Sequence, residues 1–138
     1  MTGENLKVLI VDDSAAARAL LTAAIETVAS QLGRTPVITA VGSGFEALRL
    51  LPANPLDLIV TDINMPDVHG LELIAFTRQH PLHAHTPLLV VTTQSAARDR
   101  DKAMALGADA YCVKPVTIDD LRAKITPLLT GAAGAARS

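Results

Sequence analysis

Short apolar runs alternate with helical patterns along the whole chain. Lys7–Val11 (KVLIV) has no polar alternation and is rich in β-branched residues, so it predicts a strand buried on both faces. Val37–Val41 (VITAV) predicts a second, more polar strand. Leu58–Thr61 (LIVT) and Leu88–Thr92 (LLVVT) predict two more buried strands, and Ala110–Val113 (AYCV) a fifth. Between these runs the spacing changes to that of a helix. Ala17, Leu20, Leu21, Ala24 and Val28 share one helical face. Ser43-Gly44-Phe45-Glu46 has the capping-box pattern and opens a second helix that stops at Pro52. Leu71, Ile74, Ala75 and Arg78 outline a third, ended by His80-Pro81. A fourth runs from about Ser95 to Leu106, closed by Gly107. The fifth opens at Thr117, with Asp120 at the capping distance, and turns Leu121, Ile125 and Leu128 inward. Pro127 lies inside it, where a missing N–H and a steric clash predict a kink or a disrupted last turn.

Repeated strand–helix pairs predict an α/β fold with a doubly wound, five-stranded parallel sheet covered by helices on both faces. In such sheets the ligand site lies beyond the carboxyl ends of the strands, where the strand order reverses. With 138 residues and no internal repeat, one domain is expected, over residues 5–130. Residues 131–138 read as a frayed end or linker.

Composition narrows the class. Phe45, Phe76 and Tyr111 are the only aromatics, so the core is built from Val, Ile, Leu and Ala. The single cysteine, Cys112, excludes an internal disulfide or a cysteine cluster and reads as inert core. A formal net charge of −2 argues against a basic nucleic-acid binder. No apolar run approaches the ~20 residues of a membrane span. The opening residues carry no signal-peptide pattern, so a cytoplasmic setting is expected.

The polar residues that end the strands carry the chemistry. Asp12 and Asp13 follow the first run, Asp62 the third, Thr92 ends the fourth, and Lys114-Pro115 follows the fifth. Three carboxylates brought to one edge repel one another unless a cation is present. Carboxylates with a backbone carbonyl and waters form a Mg²⁺-type ligand set. A divalent ion and Lys114 together neutralise the three acids. They also stand ready for the negative charge of a phosphoryl group, to which a threonine hydroxyl can donate. Each residue has a plainer reading as well: Asp12 and Asp13 as acids at a helix start, Asp62 as a turn residue, Thr92 as strand filler, Tyr111 as packing.

In this order and on these strand ends, Val11-Asp12-Asp13-Ser14, Asp62-Ile63-Asn64-Met65-Pro66-Asp67-Val68-His69-Gly70, Val91-Thr92-Thr93 and Val113-Lys114-Pro115 resemble the receiver domain of two-component response regulators, the family of the chemotaxis regulators. The likeness covers roughly Leu6 to Leu129. It implies a flavodoxin-like fold with strand order 2-1-3-4-5. It implies that Asp62 accepts a phosphoryl group from a histidine kinase or histidine phosphotransferase. Asp13, Asp62 and the Asn64 carbonyl would bind Mg²⁺ directly (or Mn²⁺ in its place), and Asp12 through water. Lys114 would pair with the phosphoryl oxygens, and Thr92 with Tyr111 would form the switch. A cis peptide is implied at Lys114-Pro115. Asn64, Thr93 and Gln94 would tune the lifetime of the acyl phosphate, Thr93 being bulkier than the family's usual residue.

The implied function is a stand-alone, phosphorylated signalling switch, not an enzyme. Its fourth helix, fifth strand and fifth helix would bind a downstream protein, with a weak homodimer on phosphorylation as one outcome. A receiver excised from a hybrid kinase or multidomain regulator is the alternative. An Asp-nucleophile phosphatase is a remote one, because Asn64 stands where those enzymes carry a second acid. His80, His83 and His85 read as a solvated loop. Arg98-Asp99-Arg100-Asp101-Lys102 reads as a salt-bridged, solvated helix face.

Overall fold

The computed structural model describes residues 4–93 and 98–131. Strands β1 (Glu4–Val11), β2 (Arg34–Val41), β3 (Leu58–Thr61), β4 (Leu88–Thr92) and β5 (Ala110–Val113) form one parallel sheet in the order β2-β1-β3-β4-β5. Helices α1 (Ala15–Leu32), α2 (Gly44–Leu50), α3 (Gly70–Gln79) and α4 (Arg100–Leu106) lie in the crossovers, and with α5 (Ile118–Thr130), which follows the last strand, they cover both faces. The doubly wound fold and strand order expected from the sequence are those observed.

Side chains of a strand alternate between faces, and here each face has its own core. Leu6, Val8 and Ile10 of β1 pack with Leu21 and Ile25 of α1 and Leu121 of α5. Leu9 and Val11 pack with Leu51, Leu73, Ile74 and Ala103 on the other side. All residues of β3 and β4 are buried, which is why those two runs lack alternation. Truncating one of these leucines to alanine costs about 2–5 kcal/mol.

Helix ends follow the local chemistry. Ser14 caps α1 by accepting from Ala17 N, and Ser43 caps α2 by accepting from Glu46 N. Thr117 and Asp120 form both bonds of a capping box at α5. Gly107 ends α4 at φ 119°, a left-handed conformation that favours glycine.

Several sequence expectations are corrected. β1 and β2 extend further toward their amino ends than the apolar runs, because they pair continuously from Glu4↔Arg34 to Val11↔Val41. Pro36 is tolerated there because β2 is an edge strand. The inner face of α1 is Leu21, Ala24, Ile25, Val28 and Ala29, with Ala17 and Leu20 only half-buried. In α3, Leu73, Ile74 and Thr77 are buried, while Leu71, Ala75 and Arg78 are half-buried. The α5 helix runs through Pro127 to Thr130, so its last turn is not disrupted. The described part of the fourth helix begins at Arg100; residues 94–97 lie outside the described residues.

His83 is not solvated. It is fully buried, its Nε2 lies 2.6 Å from Leu51 O, and its Nδ1 lies 3.2 Å from Thr86 Oγ1. A carbonyl only accepts, so Nε2 carries the proton and Nδ1 accepts from the Thr86 hydroxyl. The ring therefore ties the end of α2 to the connection before β4. His80 caps the short 3-10 turn Pro81–His83, and His85 is exposed.

Candidate functional site

The inner strands β1 and β3 are neighbours in the sheet, so their carboxyl ends bring Asp12, Asp13 and Asp62 together. Backbone pairing continues one residue beyond each strand. Asp12 N donates to Val41 O at 3.1 Å and Asp62 N to Val11 O at 2.9 Å. This fixes both carboxylates at the mouth of the sheet. Asp12 and Asp62 are buried and Asp13 is exposed at the rim, with carboxylate oxygens of all three within 4.8 Å of one another.

Lys114 and Thr92 come from the ends of β5 and β4. Lys114 Nζ donates to Asp12 Oδ2 at 2.8 Å and to Asp62 Oδ2 at 3.1 Å. Thr92 Oγ1 donates to Asp62 Oδ1 at 2.5 Å, and Asn64 N donates to the same oxygen at 3.0 Å. Lys114 N bonds Thr92 O at 2.6 Å, which holds the two loops together, and the Lys114-Pro115 peptide is cis. Burial pushes the Lys114 ammonium pKa down, but hydrogen bonds to Asp12 and Asp62 and their charges outweigh it, so the pKa is raised. One ammonium offsets one of three carboxylates. The remaining negative charge and the exposed rim acid suit a hard divalent cation approaching from solvent. Asp12 and Asp13 do not cap α1; Ser14 does, and Asp12 Oδ1 accepts from Ser14 N at 2.9 Å.

Tyr111 is buried on β5. Burial raises its phenol pKa, and the negative charges of Asp99 and Asp62 add to the effect. Thr93 is half-buried beside Thr92, and the Asn64 side chain is exposed. Gln94 lies outside the described residues. The acidic–basic run Arg98–Lys102, which leads into the first turn of α4, is exposed except for half-buried Asp99. Asp99 pairs with His69 of the loop before α3 at 4.0 Å, outside its own run.

Three further residues, Gly70, Asp67 and Arg18, support the site. Gly70 packs against the backbone of Asp62 and Ile63, and any Cβ there would overlap Ile63 Cα. Gly70 N also donates to Ile63 O at 2.9 Å, which braces the turn below Asp62. Asp67 accepts from Gly44 N at 3.2 Å and Phe45 N at 3.0 Å, tying the same loop to the start of α2. Arg18 NH1 donates to Asp12 O at 2.7 Å. The signal for Gly70 is the glycine closing the Asp62–Gly70 segment; Arg18 gave none beyond lying within two turns of Asp12.

Fold and site together define an α/β domain with a buried carboxylate set between an ammonium, a hydroxyl and an acidic pair suited to a cation. The family described as response regulator receiver domain matches residues 8–126, and the chain belongs to that family, whose domains are generally phosphoryl acceptors. It is 33% identical over 122 residues to a probable chemotaxis protein CheY of Rhizobium etli, covering 88% of this chain and 91% of that one. It is 32% identical over 124 residues to the sensor histidine kinase RcsC of Escherichia coli, covering 89% of this chain but 12% of that one. The solved structure of the chemotaxis response regulator CheY4 of Vibrio cholerae superposes with a TM-score of 0.77 at 28% identity, over 90% of this chain and 98% of that one. Among the described residues, no helix is long and apolar enough to cross a membrane.

Proposed function

We propose that this chain is a stand-alone response regulator in which Asp62 accepts a phosphoryl group from a phosphohistidine. The observation that carries this reading is the wiring of Asp62. One oxygen is held by Thr92 and Asn64 N, the other by Lys114, beside a second buried acid and an exposed one. In the transfer an Asp62 oxygen attacks phosphorus, the N–P bond breaks, and the imidazole nitrogen keeps the electron pair and takes up a proton. Asp12, Asp13, Asp62 and the Asn64 carbonyl would hold Mg²⁺, or Mn²⁺, which supplies positive charge against the phosphoryl oxygens. Lys114 and Thr92 meet those oxygens from the other side. Asn64, Thr93 and Gln94 flank the approach of water and set the lifetime of the acyl phosphate.

Movement of Thr92 toward the phosphoryl group and the seating of Tyr111 bias a two-state surface of α4, β5 and α5. That surface binds a downstream protein, or weakly a second copy, and the donor is a histidine kinase or phosphotransferase in the cytoplasm. Residues 5–130 form the receiver unit. A receiver excised from a longer kinase is the second reading, supported by the match to 12% of RcsC.

The test is intact mass after incubation with acetyl phosphate, with and without Mg²⁺. One Mg²⁺-dependent phosphoryl adduct, absent in Asp62→Asn, supports the reading. No adduct on folded protein overturns it.

A further inference from the structure

The function above leaves His69 without a task. It sits in the loop that leads from Asp62 to α3, and it caps α3 by accepting from Leu71 N at Nδ1, 3.2 Å away. With Nδ1 occupied as an acceptor, the ring proton is on Nε2. That nitrogen faces Asp99 Oδ2 at 4.0 Å. The Asp99 side chain is 19% exposed and that of His69 43%. Asp99 is thus a half-buried acid at the start of α4. Ala103 of the same helix packs in one buried cluster with Tyr111, and the negative charge of Asp99 adds to burial in raising the Tyr111 phenol pKa. Asp99 therefore ties the acceptor loop to the start of the helix whose Ala103 shares a buried cluster with Tyr111 of β5.

We infer that His69 and Asp99 form a positioning pair that holds the start of α4 against Tyr111 and keeps that ring buried. The inference rests on the reading of Tyr111 as the moving part of the switch. The pair joins two loops that the phosphoryl group would move relative to each other, so its strength sets how much the ring is free to swing before phosphorylation. A partly buried interaction between a ring N–H and a carboxylate is little screened by salt, unlike a pair on the open surface.

The chain contains one tyrosine and no tryptophan, so tyrosine emission reports Tyr111 alone. The experiment is acrylamide quenching of that emission in the unphosphorylated protein, for wild type, Asp99→Asn, His69→Asn and the double variant. Asparagine keeps an acceptor at the α3 cap but is too short to reach Asp99. Both single variants should raise the quenching constant, and the double variant should add little to either, as expected for partners acting through one contact. The phenol of Asp99→Asn should also titrate at lower pH than wild type. Unchanged quenching in both single variants, with far-UV circular dichroism showing folded protein, overturns the pair. Additive effects in the double variant overturn it too. If Tyr111 quenching in wild type does not change on phosphorylation, the switch reading fails instead, and that outcome is separate from those above.

Discussion

The Thr92 hydroxyl is turned onto Asp62, at 2.5 Å, with both residues buried. A carboxylate oxygen in that position has two donors, Thr92 Oγ1 and Asn64 N. Replacing Thr92 by valine keeps the shape and removes one of them. Loss of a donor to a buried charged group costs about 1–3 kcal/mol. Thr92→Val should lose stability of that order in urea denaturation at neutral pH, and acetyl phosphate should no longer change Tyr111 emission.

Metal binding should show as stability. Asp12, Asp13 and Asp62 repel one another, and Lys114 relieves only part of this. A ligand at one hundred times its dissociation constant stabilises the folded state by about 2.7 kcal/mol. Mg²⁺ should raise the melting temperature of wild type, and chelator should reverse it. Asp13→Asn should lose most of the shift while remaining folded, since Asp13 is exposed and outside the hydrogen-bond network of Lys114.

Gly70 is held against the backbone beneath Asp62. Alanine there cannot be accommodated by a side-chain rotation, because the obstacle is main chain. Gly70→Ala should cost about 1–3 kcal/mol through displacement of the turn. It should also slow phosphorylation by acetyl phosphate more than a remote variant of equal stability does, as measured by intact-mass time courses.

Arg78 is a staple at the opposite end of the sheet. It donates to Gly107 O, His83 O and Thr86 O and pairs with Asp109, whose side chain is only 2% exposed. Leaving a buried acid without its partner costs about 3–5 kcal/mol. Arg78→Met should lose that much in chemical denaturation, and Arg78→Met with Asp109→Asn should recover part of it.

Asp67 gives a pH test. The backbone N–H of Phe45, helped by those of Val68 and Gly44, holds its carboxyl below the ordinary range against the opposing effect of desolvation. A lowered folded pKa means stabilisation that is present above the unfolded value and lost as pH falls through the folded one. Carbon-detected NMR titration should place Asp67 below a normal aspartate, and Asp67→Asn should flatten that part of the acid-stability curve.

Much of this was readable from residue pattern. The runs at β3 and β4 are unbroken because both faces are buried, and the five strand-end residues follow from where each run stops. The seating of His83 was not readable. A histidine between Pro81 and His85 looks like loop, and only the fold shows Leu51 O above it. The reach of β2 past Pro36 was hidden for a similar reason, since edge position is a property of the sheet and not of the segment. Pro127 misled in the other direction: α5 accommodates it in its last turn. The pairing of His69 with Asp99 spans two loops and leaves no local trace.

The strand order has a consequence for when the protein becomes competent. Thr92, Asp12 and Lys114 reach Asp62 or one another across 30, 102 and 52 positions of chain. No contiguous stretch contains the site, and Lys114 arrives only with the last strand. Contacts of such long range form late, after most of the chain entropy has been lost. A chain still emerging from the ribosome carries Asp62 before Thr92 and Lys114 are there to hold its charge. The capacity to receive a signal is thus a report that folding is finished, and an incomplete copy stays silent without any separate means of inspection.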